Sequence, residues 1–451
     1  MANDVDVVVV GLGPGGEAVA TRLAQAGLEV VGVDERLVGG ECPYFGCIPS
    51  KMMVRAADLL AEGRRIPGMA GDSTVTPGWA SVAERIAGEA TDNWDDTVAV
   101  DRLEKAGVRF VRGHARLAGE RTVAVGEQSF AARTGVVLNT GTEPAVPPID
   151  GLADTPYWTN RDAVALTELP ETLIVIGGGA IGAELCQAFS RFGVQVSLLE
   201  VADRILAPEE PEASRLVADV FAREGIQVLT GTKISSVSYD EGRFTVALDG
   251  QRLHADKLLV AAGRRTNLAD LGLDTVGLDP AARSVEVDGR LRAAEGLWAI
   301  GDITGKGGFT HISMYQAGIA VRDILGQDGP AAGYRAVPRV TFTDPEVGSV
   351  GVTEQQARES GLEVRVATTS LPDSTRGWIH GPGNDGLVKL VEDAARGVLV
   401  GATAAGPAGG EVLSMLTTAV HAEVPTDTLR SMIYAYPTFH RAVEDALGRL
   451  G

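Results

Sequence analysis

Two cysteines five positions apart, Cys42 and Cys47, lie in the segment Gly39-Gly40-Glu41-Cys42-Pro43-Tyr44-Phe45-Gly46-Cys47-Ile48-Pro49-Ser50-Lys51. Thiols this close can cycle between dithiol and disulfide, since a thiolate attacks a disulfide sulfur and is regenerated when the bond reopens. On an uninterrupted helix five residues give about 7.5 Å of rise, whereas a disulfide needs Cα atoms about 4.4–6.8 Å apart. If the two bridge, the backbone between them must be distorted, and Pro43 and Gly46 suit that requirement. The other readings are two buried thiols or half of a metal site. No second Cys/His cluster supplies further ligands, so no metal site is expected. The third cysteine, Cys186, falls on an expected helix and reads as core packing.

A redox pair needs a source of electrons, and two glycine turns could hold one. The short β-branched run Val5–Val10 leads into Gly11, Gly13 and Gly16, then a helical stretch and a second strand ending on Asp34. The order repeats: Leu173–Ile176 leads into Gly177, Gly179 and Gly182, a helix, and the strand Gln195–Leu199 ending on Glu200. In both copies the acid stands 23 positions after the first glycine, 34 − 11 and 200 − 177. One Gly-x-Gly-x-x-Gly arises by chance; two in the same strand–turn–helix context with the acid in register point to dinucleotide binding. Glycines let the backbone approach a pyrophosphate at the positive end of a helix, and the terminal acid accepts hydrogen bonds from ribose hydroxyls. An acid at Glu200 repels a 2′-phosphate, so NAD is preferred over NADP; Arg204, Arg264 and Arg265 are the residues that would argue otherwise. A third feature, Leu297-Trp298-Ala299-Ile300-Gly301-Asp302, is a strand ending in Gly-Asp that could bond a flavin's ribityl chain.

The elements that would position these residues are α/β in pattern. Residues 336–451 differ, with strand-like pieces at 340–342, 363–368, 387–391 and 397–403 and helical stretches at 410–421 and 439–450, an α+β order. The chain of 451 residues allows two or three domains. Its formal net charge of −20 argues against nucleic acid, whose phosphates need clustered Lys and Arg. No apolar run is long enough to span a bilayer, and Val5–Val10 lacks the flanks of a signal peptide. Three cysteines are too few for a secreted disulfide framework. A cytoplasmic setting with no membrane partner is the expectation.

Taken together, the motifs resemble the flavoprotein disulfide reductases: lipoamide dehydrogenase and the glutathione, mycothione and mercuric reductases. The resemblance runs along essentially the whole chain. It rests on Gly11-x-Gly13-x-x-Gly16, the Gly40–Lys51 cysteine segment, Thr140-Gly141, Gly177-x-Gly179-x-x-Gly182-x-Glu184, Gly263-Arg264, Gly301-Asp302 and Pro345-Glu346. It implies an FAD domain from 1–150 and 267–330, an NAD(P) domain from 151–266, and an interface domain from 336–451 of a homodimer whose active site is shared between subunits. It also implies roles. Cys47 would be the thiolate beside the flavin, Cys42 the interchange thiol, and Lys51 and Glu184 an ion pair at the flavin's reactive edge. His311 occupies a position near the flavin in lipoamide dehydrogenases, or it is a packing or surface residue.

Two departures stand out. The family's disulfide reductases end in His-Pro-Thr-x-x-Glu, where the histidine is the general acid–base. Here Tyr434-Ala435-Tyr436-Pro437-Thr438-Phe439-His440-Arg441 puts Tyr436 at the histidine's place and Arg441 at the glutamate's, with His440 four residues away. A phenol, with a pKa near 10, is a poor base at neutral pH but can donate a hydrogen bond. Pro43-Tyr44-Phe45 also replaces small or amide residues between the cysteines. The expected function is therefore an FAD-dependent oxidoreductase passing electrons from NAD(P)H through Cys42 and Cys47 to a small disulfide, thione or other thiol-reactive substrate. The alternatives are dihydrolipoamide dehydrogenase, a flavin-centred reductase of quinones or metal ions or a transhydrogenase, and a redox-sensing FAD protein.

Overall fold

Five valines of the strand Asn3–Val10 are buried, Val5, Val8 and Val10 in one apolar cluster and Val7 and Val9 in another. Burial on both faces is the mark of a parallel strand covered on each side. The computed structural model, which describes residues 3–450, places this strand inside an eight-stranded sheet. Five strands of the sheet, this one included, run parallel in the order Leu297–Ala299, Gln128–Leu138, Asn3–Val10, Val30–Asp34, Val108–Arg112. The helix Pro14–Gln25 follows the first strand directly, starting earlier than the sequence pattern suggested because Pro14 is favourable in a first helical turn.

The chain divides into two compact units. The first comprises Met1–Pro49, Glu84–Ala145 and Arg264–Tyr334 and holds the eight-stranded sheet. The second comprises Ser50–Ala83, Val146–Gly263 and Arg335–Gly451. Within the second unit the strands Gln227–Leu229, Gln195–Leu199, Thr172–Ile176 and Lys257–Val260 form a four-stranded parallel sheet, accompanied by an antiparallel three-stranded sheet over residues 234–255. Met1, Ala2 and Gly451, the outermost residues of the expected first and last domains, lie outside the described residues.

The C-terminal segment is α+β. Its sheet is antiparallel and five-stranded, in the order Pro338–Thr341, Glu346–Gly351, Val398–Gly406, Leu387–Asp393, Val364–Ser370. The strand Glu346–Gly351 was not foreseen. Its sequence, Glu-Val-Gly-Ser-Val-Gly, has neither alternation nor a long apolar run, and Gly348 is there because a side chain would strike Gly409. The helices Gly409–His421 and Arg441–Gly448 pack into this sheet's core through Val412, Leu416, Val443 and Leu447. No helix among the described residues is long and apolar enough to cross a membrane.

Candidate active site

Val10, Leu138 and Val33 are register partners on adjacent parallel strands, and Ala299 pairs with Leu138. The residues just past their carboxyl ends are therefore brought to one edge: Gly11, Asp34, Thr140-Gly141 and Gly301-Asp302. The strand order reverses on either side of Asn3–Val10, and the carboxyl edge at such a switch point is where open α/β sheets take ligands. The second unit repeats the arrangement, with Ile176, Leu199 and Val260 in register and Gly177, Glu200 and Gly263 beyond them.

Each glycine has a physical reason. Gly11 (φ +89°) and Gly177 (φ +109°) take a left-handed conformation, and a side chain there would run into the next strand's backbone at Asn139 and Ala261. At Gly16 and Gly182 a side chain would strike the carbonyl of the first glycine, so helix and strand touch. Gly13 and Gly179 cap the helices Pro14–Gln25 and Ala180–Arg191, and neither helix start is closed by a side chain. The two helices therefore present bare amide groups to an anion. Gly40 (φ +67°) comes up against Gly13. These features fit a dinucleotide at each turn.

Both acids accept hydrogen bonds from backbone amides of their own turns. Asp34 accepts from the Leu12 amide at 2.7 Å and the Arg36 amide at 2.8 Å. Glu200 accepts from Gly178 at 2.6 Å and Ala202 at 2.8 Å. Burial raises the Asp34 carboxyl above its ordinary value, against the two amides that lower it. Asp302 accepts from the Thr142 hydroxyl at 2.7 Å, and Thr142 in turn accepts from Arg264 Nε at 2.7 Å. Arg264 also faces Glu41 at 3.3 Å. Gly301 is held by Gln316, whose Oε1 accepts its amide at 2.6 Å. Thr140 exchanges hydrogen bonds with Asn267. Asn139, Ser313 and Gln316 were not singled out from sequence. Each is a polar residue in an otherwise apolar stretch, which was the available signal.

The cysteines stand on two helical pieces. Cys42 belongs to the single turn Glu41–Tyr44, and Cys47 opens the helix Cys47–Arg65. Between them the helical run is interrupted at Phe45 and Gly46: both amides donate to the one Glu41 carbonyl, and a side chain at Gly46 would lie 3.8 Å from Cys42 Cα. The interruption that a bridge demands is present. Cys42 is half-buried and Cys47 exposed, with Sγ of Cys47 3.5 Å from the Thr310 hydroxyl at the start of the helix Thr310–Ile324. Tyr44, between the cysteines, is buried. Cys186 is fully buried, and burial pushes its thiol above the ordinary range, in keeping with core packing.

Lys51 Nζ donates to Glu184 Oε2 at 2.6 Å. The carboxylate is almost completely buried and its other oxygen accepts from the Phe342 amide at 2.8 Å. The Lys51 ammonium also lies 4.7 Å from the centroid of the Phe342 ring, a favourable cation–π distance. Two residues beyond Phe342 is Asp344, whose amide and carbonyl exchange hydrogen bonds with the Gln187 carboxamide.

Tyr436 is exposed, and its hydroxyl donates to Thr375 at 3.4 Å, a long bond. Arg441 lies over its ring at 5.4 Å and pairs with Glu444 at 3.0 Å. His440 caps the helix Arg441–Gly448. His311 is exposed and stacks on Phe309 with centroids 5.1 Å apart. No cluster of three or more His, Cys, Asp or Glu fit to hold a metal occurs among the described residues.

Comparison with known proteins agrees with this geometry. Residues 5–318 match the family model described as pyridine nucleotide-disulphide oxidoreductase, and residues 337–447 match that family's dimerisation domain, which supports a homodimer. The chain is 33% identical to the dihydrolipoyl dehydrogenase of Mycobacterium leprae, over 98% of this chain and 97% of that one. It is 31% identical to a mercuric reductase of Acidithiobacillus ferrooxidans, over 97% and 81%. Among solved structures, the Cu(II) complex of the HOCl-induced flavoprotein disulfide reductase RclA from Escherichia coli superposes with a TM-score of 0.86 at 27% identity, covering 99% of each chain.

Proposed function

The chain belongs to the pyridine nucleotide-disulphide oxidoreductases, FAD-dependent enzymes that use a pyridine nucleotide, and we propose that it carries electrons from NADH through Cys42 and Cys47 to a thiol-reactive small molecule without the family's usual acid–base pair. The observation that carries this reading is the broken helix start that sets Cys42 and Cys47 on adjoining turns, with Lys51 farther along the helix that Cys47 opens. Bound FAD would supply the step from a two-electron nicotinamide donor to the sulfur pair. The rest is work for this chain's residues. The first glycine turn, Asp34 and Asp302 hold the cofactor; the second turn and Glu200 hold NADH in preference to NADPH. Lys51 is fixed by Glu184, the pair that the family resemblance assigns to the flavin's reactive edge. The Thr310 hydroxyl donates to the Cys47 thiolate, and Cys42 attacks the substrate. The setting is cytoplasmic.

On the substrate side, cleaving a disulfide releases a thiolate that must be protonated. Tyr436, on the dimerisation segment at the place of the family's histidine, would face the cysteine pair of a second subunit, with His440 displaced by four residues to the start of the next helix. Tyr436 can offer a hydrogen bond there but is a poor general acid–base near neutral pH. This favours a specific reading within the class, an acceptor that releases no thiolate. A soft metal ion held by thiolates is such a substrate, and the mercuric reductases and the Cu(II) complex among the relatives support it. Turnover with Hg(II) or Cu(II), lipoamide and low-molecular-weight disulfides tests it. Cys42→Ser is expected to abolish turnover of the true acceptor by a factor of about 100 or more, an effect of the size expected when a nucleophile is removed. Full turnover in Cys42→Ser would overturn the reading, and lipoamide turnover far above all others would replace it with the dihydrolipoamide dehydrogenase reading.

A further inference from the structure

The helix Ala180–Arg191 lays three polar side chains along one face: Glu184, Gln187 and Arg191, at i, i+3 and i+7. All three are buried. Together they hold a short piece of the dimerisation segment, residues 342–344. Glu184 accepts the Phe342 amide at 2.8 Å. The Gln187 carboxamide accepts the Asp344 amide at 2.7 Å and donates to the Asp344 carbonyl at 2.8 Å. Arg191 donates to the Asp344 carboxylate at 2.7 Å, and Arg65 reaches the same oxygen at 2.6 Å. On its other side Phe342 follows directly from the strand Pro338–Thr341, so its backbone is fixed in both directions.

What this arrangement restrains is the Lys51–Glu184 pair. The pair by itself leaves two freedoms. One contact, Nζ to Oε2 at 2.6 Å, does not set the rotation of the carboxylate, because the last torsion of a glutamate is broad. Nor does it fix the ammonium, which ends a flexible four-carbon stem on a side chain 36% exposed. Phe342 meets both freedoms. Its amide takes the second carboxylate oxygen, Oε1, and so sets the carboxylate plane. Its ring centroid lies 4.7 Å from the Lys51 ammonium and presents the negative face of its π-system to the charge. A residue of the dimerisation segment therefore touches both members of a pair in its own subunit.

We propose that Phe342 is a positioning residue for reduction of the flavin: its amide and its ring together hold Glu184 and Lys51 in a single arrangement. The inference rests on the place that the family resemblance gives this pair, at the flavin's reactive edge. The step it serves takes two electrons and a proton from NADH, and Phe342 itself exchanges neither. The dimerisation segment thereby has a second task, inside the subunit that carries it.

The test is anaerobic stopped-flow reduction of the FAD-loaded protein by NADH. Phe342→Leu keeps the amide and removes the π face. The limiting rate of flavin reduction is expected to fall roughly threefold to tenfold, the worth of one cation–π contact, with the NADH concentration for half-maximal rate unchanged. Phe342→Tyr keeps a ring and is expected to recover most of that rate. The loss must also run through Lys51: in a Lys51→Met background, which has no charge to hold, Phe342→Leu should add nothing. No loss in Phe342→Leu, no recovery in Phe342→Tyr, or an equal loss in the Lys51→Met background overturns the proposal. The unsubstituted protein gives a readout that needs no variant to fold. By NMR the Lys51 side-chain protons nearest the ring should resonate upfield of an ordinary lysine's, and an ordinary position overturns the proposal. If Lys51→Met itself reduces flavin at the normal rate, it is the placing of the pair at the flavin edge that has failed, and the role of Phe342 falls with it.

Discussion

Set side by side, the turns Gly11–Gly16 and Gly177–Gly182 share a backbone and differ in what stands over them. Both begin on a left-handed glycine, and in both the acid 22 residues after the second loop residue accepts that residue's amide, Asp34 from Leu12 and Glu200 from Gly178. Over the first turn, however, Asn139 approaches Gly13 and Gly16, Ser313 stands against Gly15, and Gly40 comes up to Gly13. Over the second, Ile205 and Glu200 stand against Gly178, but a side chain at Gly179, the counterpart of Gly13, would meet nothing within 4 Å. On the proposed reading one motif would serve two purposes. A crowded turn suits a dinucleotide that stays, the proposed FAD; an open one suits a dinucleotide that comes and goes, the proposed NADH.

Substitutions can break this comparison. The largest effect is expected from Gly11→Ala, which must place a side chain at φ +89° against the Asn139 backbone. Strain of this kind costs about 1–3 kcal/mol before the collision is counted, and the purified variant should lack flavin by absorbance. Gly179→Ala has φ −73° and open space, so the fold and flavin content should be untouched. Its added methyl group crowds the pyrophosphate approach, and KM for NADH should rise roughly tenfold. Equal flavin loss in both variants would show that the two turns are not differently used.

A smaller effect sharpens the second turn. Glu200→Gln keeps an acceptor near Gly178 but removes the charge that, on the proposed reading, would repel a 2′-phosphate. The ratio of kcat/KM for NADH to that for NADPH should fall by about tenfold. An unchanged ratio would assign nicotinamide choice to other residues.

The smallest effect lies outside both turns and serves as their control. Burial pushes Asp58 up to about 6, although Arg191 Nη1 lies 2.6 Å away. An unfolded aspartate titrates near 3.9. The folded form thus binds the extra proton between these values, and this group's contribution to stability is present at low pH and lost as pH rises through about 6. Asp58→Asn should flatten that part of the stability–pH curve, measured by chemical denaturation between about pH 4 and 7, with nucleotide binding unchanged.

The two turns were legible because each is a local pattern, written in fewer than 30 consecutive residues. So was the need for a broken backbone between Cys42 and Cys47, since spacing and disulfide geometry conflict on a regular helix. The lids over the turns were not legible. Asn139 and Ser313 reach Gly15 and Gly16 from far along the chain, and no local rule announces such a contact. The same holds for Phe342, which meets Glu184 across 158 residues, and for Trp94, which meets Tyr44 across 50. The strand Glu346–Gly351 was hidden for a different reason: Gly348 serves close packing against Gly409 and Gly351 against Val400, and the two erase the alternation that marks a strand. Tyr436 was legible as a substitution, but its exposure and its long bond to Thr375 had to be seen.

The central claim is that electrons from a nicotinamide come to rest on Cys42 and Cys47. Anaerobic titration of the FAD-loaded protein with NADH, and separately with NADPH, measures this directly. The long-wavelength thiolate–flavin band is predicted to reach its maximum at two electrons per subunit, with NADH the faster donor, and to vanish in Cys47→Ser. Bleaching of the flavin with no such band, or a band that survives Cys47→Ser, would contradict it.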